Sequence, residues 1–429
     1  MIARLARFRA RSRRPLGHAL ALGLSALAFL WRRLMFRTTF IAITGSVGKT
    51  TAAESLGAML AAHYPTNWAR GGGNNRRQLA LNILRTRFRH RFTVIEVGTR
   101  RSGALRRASW MIAPDIAVVL RVLLVHSNVF SSLDAVAQEK SQLLGRLGPQ
   151  GIAVLNGDDP LVMAMGAGCP GTVRTFGMTP GTFLTASEVS SSWPQRLSFR
   201  ATCGGQSCRV QTNFVGEQFL SSALAVLTVA VLCGVPLEQA AADFHEIHAV
   251  AGRMNTMVLP NGATVLRDEF NSSYPTILAG LEVLRHAKAS RRIVIVGDVL
   301  DSGMTVRPRF RDIGRRTAEV ADMAVFLGYD GRAAVKAAVA AGMAKESAWA
   351  FKSLPEAAAF LQSELRSGDL VLLEGWIERH VERLVLAQTA TIACWKERCT
   401  KLIECERCPE LLVSLDSSRP GVQGGSLGA

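Results

Sequence analysis

A β-branched strand running into a glycine-lysine-threonine turn leaves this chain few folds to adopt. Residues 41–51 read IAITGSVGKTT, with Gly45, Ser46, Val47, Gly48, Lys49, Thr50 and Thr51 lying between the strand and a helix-prone stretch. In such a loop successive backbone N–H groups face a polyphosphate, the lysine neutralises its β/γ oxygens and the threonine can hold Mg²⁺. The loop therefore predicts ATP as ligand. The first glycine of the common GxxxxGK[ST] pattern would fall at Ile43, so the loop suggests a subset of nucleotide enzymes rather than P-loop proteins at large.

With 429 residues, 48% of them apolar, the chain is long enough for two to four domains with real cores, which excludes a disordered or low-complexity protein. Strand-like and helical segments alternate, the pattern of α/β domains with mostly parallel sheets. After the loop come a helix from about Thr51 to His63, strands at Phe92–Glu96 and Ile116–Leu120, and a helix from about Leu133 to Leu147. GIAVLNGDDP reads as a strand entering an acidic turn at Asn156, residues 180–215 as shorter antiparallel strands, and Gln218–Leu232 as an apolar helix. Ala249–Arg253 reads as a linker into a second doubly wound domain, whose strands are ATVLRDEF, RRIVIVGDV, ADMAVFLG and DLVLLEG.

The formal charge of +18 is uneven, because nine arginines between Arg4 and Arg37 precede the first acid, Glu54. A second basic stretch runs from Arg70 to Arg107 against Glu96 alone. Such charge favours anionic partners, but there is no helix-turn-helix pattern and no aromatic-interleaved basic strand, so nucleic acid is not expected. Between the N-terminal arginine clusters, Leu16–Trp31 is an apolar stretch of 16 residues, just short of the roughly 17–25 that span a bilayer. Basic flanks on both sides suit an interfacial helix as well as a crossing one, so residues 1–38 are expected to associate with a membrane, apart from the catalytic domain, with a buried amphipathic helix as the alternative.

Eight cysteines fall into two groups. Cys169, Cys203, Cys208 and Cys233 are scattered and read as structural. Cys394, Cys399, Cys405 and Cys408, with spacers of four, five and two residues, suit a tetrahedral zinc knuckle over residues 389–411. Free thiols or a disulfide are the alternatives, the latter disfavoured for a cytosolic ATP enzyme. Residues 412–429 read as a loose tail.

Taken together, the motifs resemble the Mur ligase family, and within it the MurF-type enzymes, over about residues 40–388. TGSVGKTT resembles the family's phosphate loop, GGGNNRRQLALNIL its Asn-rich stretch, VIEVGTRRSGAL its Glu-Met-Gly strand end and NGDDP its acidic turn. APDIAVVLRVLLVHSNVFSSLDAVAQEK resembles the long segment ending in a lysine. GRMN, RDEFNSSYPT and VGDVLDSG resemble segments of the C-terminal domain. The resemblance implies a central P-loop ATPase domain at 39–250 and a Rossmann-like domain at 251–388. It also implies a reaction in which a carboxylate takes the γ-phosphate of ATP and an amine then displaces phosphate from the acyl phosphate.

By the same resemblance Lys49 contacts the β/γ-phosphates, and Thr50 and Glu96 hold one Mg²⁺. His126 binds a second Mg²⁺, a site also served by a carbamylated lysine that Lys140 matches. Arg253 caps the phosphates from the linker, while Asp268 and Asn271 approach the nucleotide from the C-terminal domain. Competing readings are a solvated Glu96, a core His126, a surface Lys140, a one-residue shift from Asp268 to Glu269, and Asn74 and Asn75 as turn formers.

Two departures bear on substrate. MurF-type enzymes carry an N-terminal domain for a uridine diphosphate sugar, for which the forty residues before the loop leave no room, and the family's Gly-x-His-Asn segment is Gly216-Glu217-Gln218-Phe219 here. The expectation is an ATP- and Mg²⁺-dependent acid–amine ligase at the cytoplasmic face of a bacterial inner membrane, acting on a cell-envelope carboxylate and an amino acid or peptide. Alternatives are the MurF step itself, a poly-amino-acid synthetase, a MurT-like amidation subunit with a partner enzyme, and a nucleotide-dependent scaffold.

Overall fold

The computed structural model describes residues 21–99, 101–125, 129–299, 306–401 and 403–411. Two compact units divide the chain: residues 1–255 with 273–288 and 300–306, and residues 256–272 with 289–299 and 307–429.

In the first unit the strands are β1 (Thr39–Thr44), β2 (Thr66–Trp68), β3 (Phe92–Glu96), β4 (Ile116–Val119), β5 (Ile152–Asn156), β6 (Thr172–Gly177), β7 (Leu184–Ser190), β8 (Ser198–Cys203) and β9 (Gln206–Gln211). They form one sheet in the order β2-β3-β1-β4-β5-β6-β7-β8-β9. Pairing is parallel from β2 to β7 and antiparallel through β8 and β9. Because β1, β3 and β4 are covered on both faces, they are near-continuous apolar runs.

The first unit's helices are α1 (residues 21–34), α2 (Lys49–His63), α3 (Arg76–Arg85), α4 (Ala104–Ile112), α5 (Leu133–Ser141), α6 (Pro160–Ala164), α7 (Leu220–Leu232), α8 (Leu237–Asp243) and α9 (Tyr274–Arg285). Phe40 and Ala42 of β1 join a core built with Ala28, Leu79, Ala80, Leu105 and Val136. Ile41 and Ile43 alternate to the other face by the pleat of the strand. The expected helix from Leu133 to Leu147 ends at Ser141 and is followed by a 3₁₀ turn at Leu144–Arg146.

Contrary to the sequence expectation, α1 is bound into this unit. Arg32 is buried and donates to the carbonyls of Ile112 and Ala113 at 2.8 Å, and to Asp115 at 2.9 Å. Trp31 Nε1 donates to the Thr86 carbonyl at 2.9 Å, and Ala28 and Met35 enter the core. Among the described residues no helix is long and apolar enough to cross a membrane. The outward side of this segment is nonetheless apolar, with Leu22, Leu27, Leu30, Leu34 and Phe36 exposed.

The second unit is built on β10 (Asn255–Val258), β11 (Thr264–Asp268), β12 (Arg291–Val296), β13 (Met323–Leu327), β14 (Ala348–Phe351) and β15 (Asp369–Glu374), in the order β10-β11-β15-β12-β13-β14. From β11 to β14 all pairing is parallel. Helices α10 (Val306–Ala318), α11 (Gly331–Ala340), α12 (Leu354–Glu364) and α13 (Arg383–Leu386) complete it. The cysteine-bearing extension is part of this unit's core, because Ile392, Cys405 and Leu411 pack with Val371, Leu384 and Val385.

Candidate active site

The loop leaves β1 where the strand order turns, since β1 pairs with β3 on one side and β4 on the other. Ligands bind at such points, beyond the carboxyl ends of the strands. Leu120 N–H bonds the Thr44 carbonyl at 3.0 Å and Ser46 N–H the Arg121 carbonyl at 2.7 Å, so the segment after β4 fixes the loop. Gly48 has φ +81°, and a Cβ there would meet Ser222 Oγ of α7 at 2.4 Å. Only glycine supplies that backbone and that closeness.

Lys49 opens α2 and donates to the carbonyls of Gly45 and Ser46 at 3.0 and 3.2 Å. Burial lowers its pKa, the Glu96 carboxylate opposes that shift and Arg253 adds to it. Arg253 from the linker is thus within electrostatic reach of the loop lysine. Thr50 donates to Glu96 Oε2 at 2.8 Å, and Asn74 Nδ2 donates to Glu96 Oε1 at 2.9 Å. Glu96 is buried at the end of β3 rather than solvated. A hydroxyl and a carboxylate oxygen this close are the hard donors that Mg²⁺ prefers, so the residues fit that ion.

Lys140, at the end of α5, is only 3% exposed, not a surface residue. Its pKa lies well below the ordinary lysine value, first because of burial and second because of the Lys49 charge, with Glu139 opposing. Glu139 is engaged elsewhere, accepting the N–H groups of Gly103 and Leu105 at the start of α4, at 2.7 and 2.9 Å. His126 lies outside the described residues.

The two asparagines of the Gly-rich stretch divide the work. Asn75 caps α3, accepting Gln78 N–H at 3.0 Å, whereas Asn74 reaches Glu96. In the acidic turn Asp159 caps α6 and holds Val122 N–H at 2.8 Å, while Asp158 accepts Met178 and Thr179 N–H groups. Both acids serve the scaffold.

In the second unit Asp268 ends β11 half-exposed. The neighbouring Glu269 is buried and paired with Arg267 at 2.6 Å, so of the two acids Asp268 is the accessible one. Asn271 forms an isolated antiparallel bridge with Trp376. Sequence reasoning missed Glu374, which ends β15 beside Asp268; it is fully buried, and among the described residues neither carboxyl oxygen has a partner at full hydrogen-bond geometry, with Ser272 the hydroxyl beside it. Burial, and next the Asp268 charge, push its pKa well above the carboxylate range. Its signal was an acid ending the apolar run DLVLLE.

Family models for the Mur ligase middle domain and the Mur ligase glutamate ligase domain match residues 43–230 and 252–376. A UDP-N-acetylmuramoyl-tripeptide–D-alanyl-D-alanine ligase of Mycobacterium tuberculosis is 28% identical over 358 residues, covering 78% of this chain and 70% of the relative. The corresponding enzyme of Escherichia coli is 26% identical over 276 residues, covering 64% and 60%. A crystal structure of MurF from Acinetobacter baumannii superposes with a TM-score of 0.78 at 26% identity, covering 86% of this chain and 80% of that one. Fold and loop together define an ATP-dependent ligase that forms carbon–nitrogen bonds. The chain belongs to the Mur ligase family, with MurF-type enzymes among its relatives.

Proposed function

We propose that this ligase activates a cell-envelope carboxylate as an acyl phosphate and joins it to an amino acid or peptide amine, at the cytoplasmic face of the inner membrane. The observation that supports the chemistry best is the gathering of Lys49, Thr50, Glu96, Lys140 and Arg253 around one loop. Both steps build up anionic charge, and fixed cations and amides stabilise it. Lys49 and Arg253 oppose the charge on the phosphates. Thr50 and Glu96 would hold Mg²⁺, which supplies further charge neutralisation on the transferred phosphoryl oxygens. The lowered pKa of Lys140 favours the neutral amine, whose addition to CO₂ with release of one proton would give a carbamate, an anionic oxygen donor in place of an ammonium.

The membrane part of the reading rests on the segment of residues 21–36. Its exposed leucines are flanked by Phe88, 69% exposed and 5.8 Å from Trp31, and by Trp110, 47% exposed and stacked on Phe29 at 4.6 Å. Arg33 lies over the Phe29 ring at 3.4 Å, and Arg37, Arg85, Arg87 and Arg89, close in sequence to Phe36 and Phe88, are exposed as well. An apolar ridge rimmed by arginines suits an anionic lipid interface.

A second reading, the MurF step itself, draws on the relatives, whose name specifies a UDP-N-acetylmuramoyl-tripeptide and D-alanyl-D-alanine. Phosphate release by the full chain, measured with each acceptor and a panel of amines, tests both. Amine-dependent release that Lys49→Ala abolishes supports the ligase. Turnover with the nucleotide-linked tripeptide alone favours the MurF step, and ATP binding without turnover on any acceptor sinks both in favour of a scaffold.

A further inference from the structure

The second unit holds a cluster that the ligase chemistry does not use. Cys394, Cys399, Cys405 and Cys408 all border one small cavity, together with His380, Arg383, Lys401 and Glu410. None of the four is in a disulfide. The segment that carries them is tied down at several points. Arg383, 1% exposed, donates to the carbonyls of Arg379, His380, Cys394 and Lys396 at 2.7–2.9 Å. Glu382 accepts from His380 Nδ1 at 2.7 Å and from Cys405 N–H at 3.3 Å.

Two features point to an ion in this cavity. First, Arg383 is a buried cation whose hydrogen-bond partners among the described residues are all carbonyls, and the half-exposed Lys401, paired with Glu410 at 2.8 Å, also donates to Cys408 Sγ at 3.7 Å. A buried cation calls for a compensating anion, which four thiolates around one divalent ion would supply with a net charge of about −2. Second, the spacers are short and the donors are soft, the set that selects zinc. Among the described residues the group of three donor atoms that lie within 4.8 Å of one another is that of His380, Glu382 and Cys405, whereas the four thiols line the cavity without meeting so closely, and an ion would have to draw them in. These three do not form the site, because His380 and Glu382 bond each other and His380 Nε2 lies 3.1 Å from the Lys401 carbonyl. They brace Cys405 from behind.

The cluster also reaches the functional end of the sheet. The 3₁₀ turn Cys405–Arg407 presents Glu406 to Arg267, whose guanidinium also holds Glu269 at 2.6 and 2.9 Å. Arg267 immediately precedes Asp268 at the end of β11.

We propose that Cys394, Cys399, Cys405 and Cys408 bind one zinc ion as thiolates, releasing four protons, and that the ion fixes the Cys405–Arg407 turn so that Glu406 holds Arg267.

The test uses the full chain. After dialysis against micromolar zinc and then metal-free buffer, elemental analysis should give about one zinc per chain. The four clustered thiols should react with a thiol reagent only after chelation. Zinc at less than a tenth of the chain concentration, with these thiols reactive from the start, overturns the metal site without any variant having to fold. Cys405→Ser with Cys408→Ser should lose the zinc. Glu406→Gln should keep it, because that carboxylate lies outside the thiolate set, and loss of zinc from this variant would overturn the four-cysteine assignment. Chelation should speed amide hydrogen exchange across residues 405–407, and unchanged exchange would overturn the tie between the ion and the turn.

Discussion

Lys140 shows how much a residue's surroundings add to its identity. As a letter between Glu139 and Ser141 it could sit on any helix surface, and it is burial and the nearby Lys49 charge that lower the pKa of its amine. Lys140→Ala is expected to lower kcat by about 10²–10⁴. Formate or acetate should restore part of the rate by supplying an oxygen anion where the side chain was, as read by phosphate release. Failure of both anions across a concentration series would count against an anionic role for the lysine. Glu374 gives a second case, in pH. Its folded pKa is raised above the unfolded value, so the stability it contributes is fully present below about pH 4.5 and is lost as pH rises toward the folded pKa. Glu374→Gln mimics the protonated acid. Relative to this variant, the native chain should lose up to about 1.4 kcal/mol per pH unit across that window, seen as diverging denaturant midpoints. Parallel curves would refute the assignment. The sequence showed that Asn74, Asn75, Asp268 and Glu269 stood near the site. Which of them can serve the site depends on the partner each side chain finds: Gln78 takes Asn75, Glu96 takes Asn74 and Arg267 takes Glu269.

At the scale of elements, strands covered on both faces were legible because burial on both sides demands unbroken apolar runs, as at Phe92–Glu96 and Asp369–Glu374. β2, only three residues long and half-buried throughout, left no such trace in the sequence. α1 was legible as apolar, but hydropathy could not tell which of its faces is covered. Ser25, Ala28 and Arg32 turn inward while Leu22, Leu27, Leu30 and Leu34 turn outward with Arg33, so two of the helix's three polar residues among those described lie on the buried side. That inversion makes two opposite predictions for one helix. Arg32→Ala removes bonds to a buried and a partly buried carbonyl and to a half-exposed Asp115, and should cost about 1–3 kcal/mol in a denaturant melt. Leu27→Asp with Leu30→Asp should change stability by less than about 1 kcal/mol, since both side chains face solvent. The double variant should nonetheless abolish co-flotation with phosphatidylglycerol vesicles, while the native chain ignores neutral phosphatidylcholine vesicles and is released from the anionic ones by salt. Equal binding of native chain and variant would remove the lipid surface as the ridge's partner.

For the whole molecule, the sequence gives the order of its parts more reliably than their ownership. The alternation of strands and helices located both sheets. It could not show that residues 21–38 and the cysteine segment belong to cores already described, because membership is decided by a few long-range partners: Arg32 with Asp115, Arg383 with Cys394, Arg267 with Glu406. Each unit has a core of its own, one around Phe40 and Leu105, the other around Val371 and Leu384. Separate cores imply separately addressable stability. The nucleotide loop lies in the first unit and the cysteine cavity in the second, and a ligand stabilises what it binds by about 2.7 kcal/mol at a hundred times its dissociation constant. Calorimetry of the full chain should therefore resolve two transitions. Mg·ATP should raise one of them, and Lys49→Ala should cancel that shift. A zinc chelator should lower the other, leaving the ATP-sensitive transition within about a degree of its place, because linkage acts only on the unit that holds the ligand. A single transition moved equally by both reagents would mean that the two cores melt as one cooperative body, and that loss of the zinc site would unfold the nucleotide loop along with it.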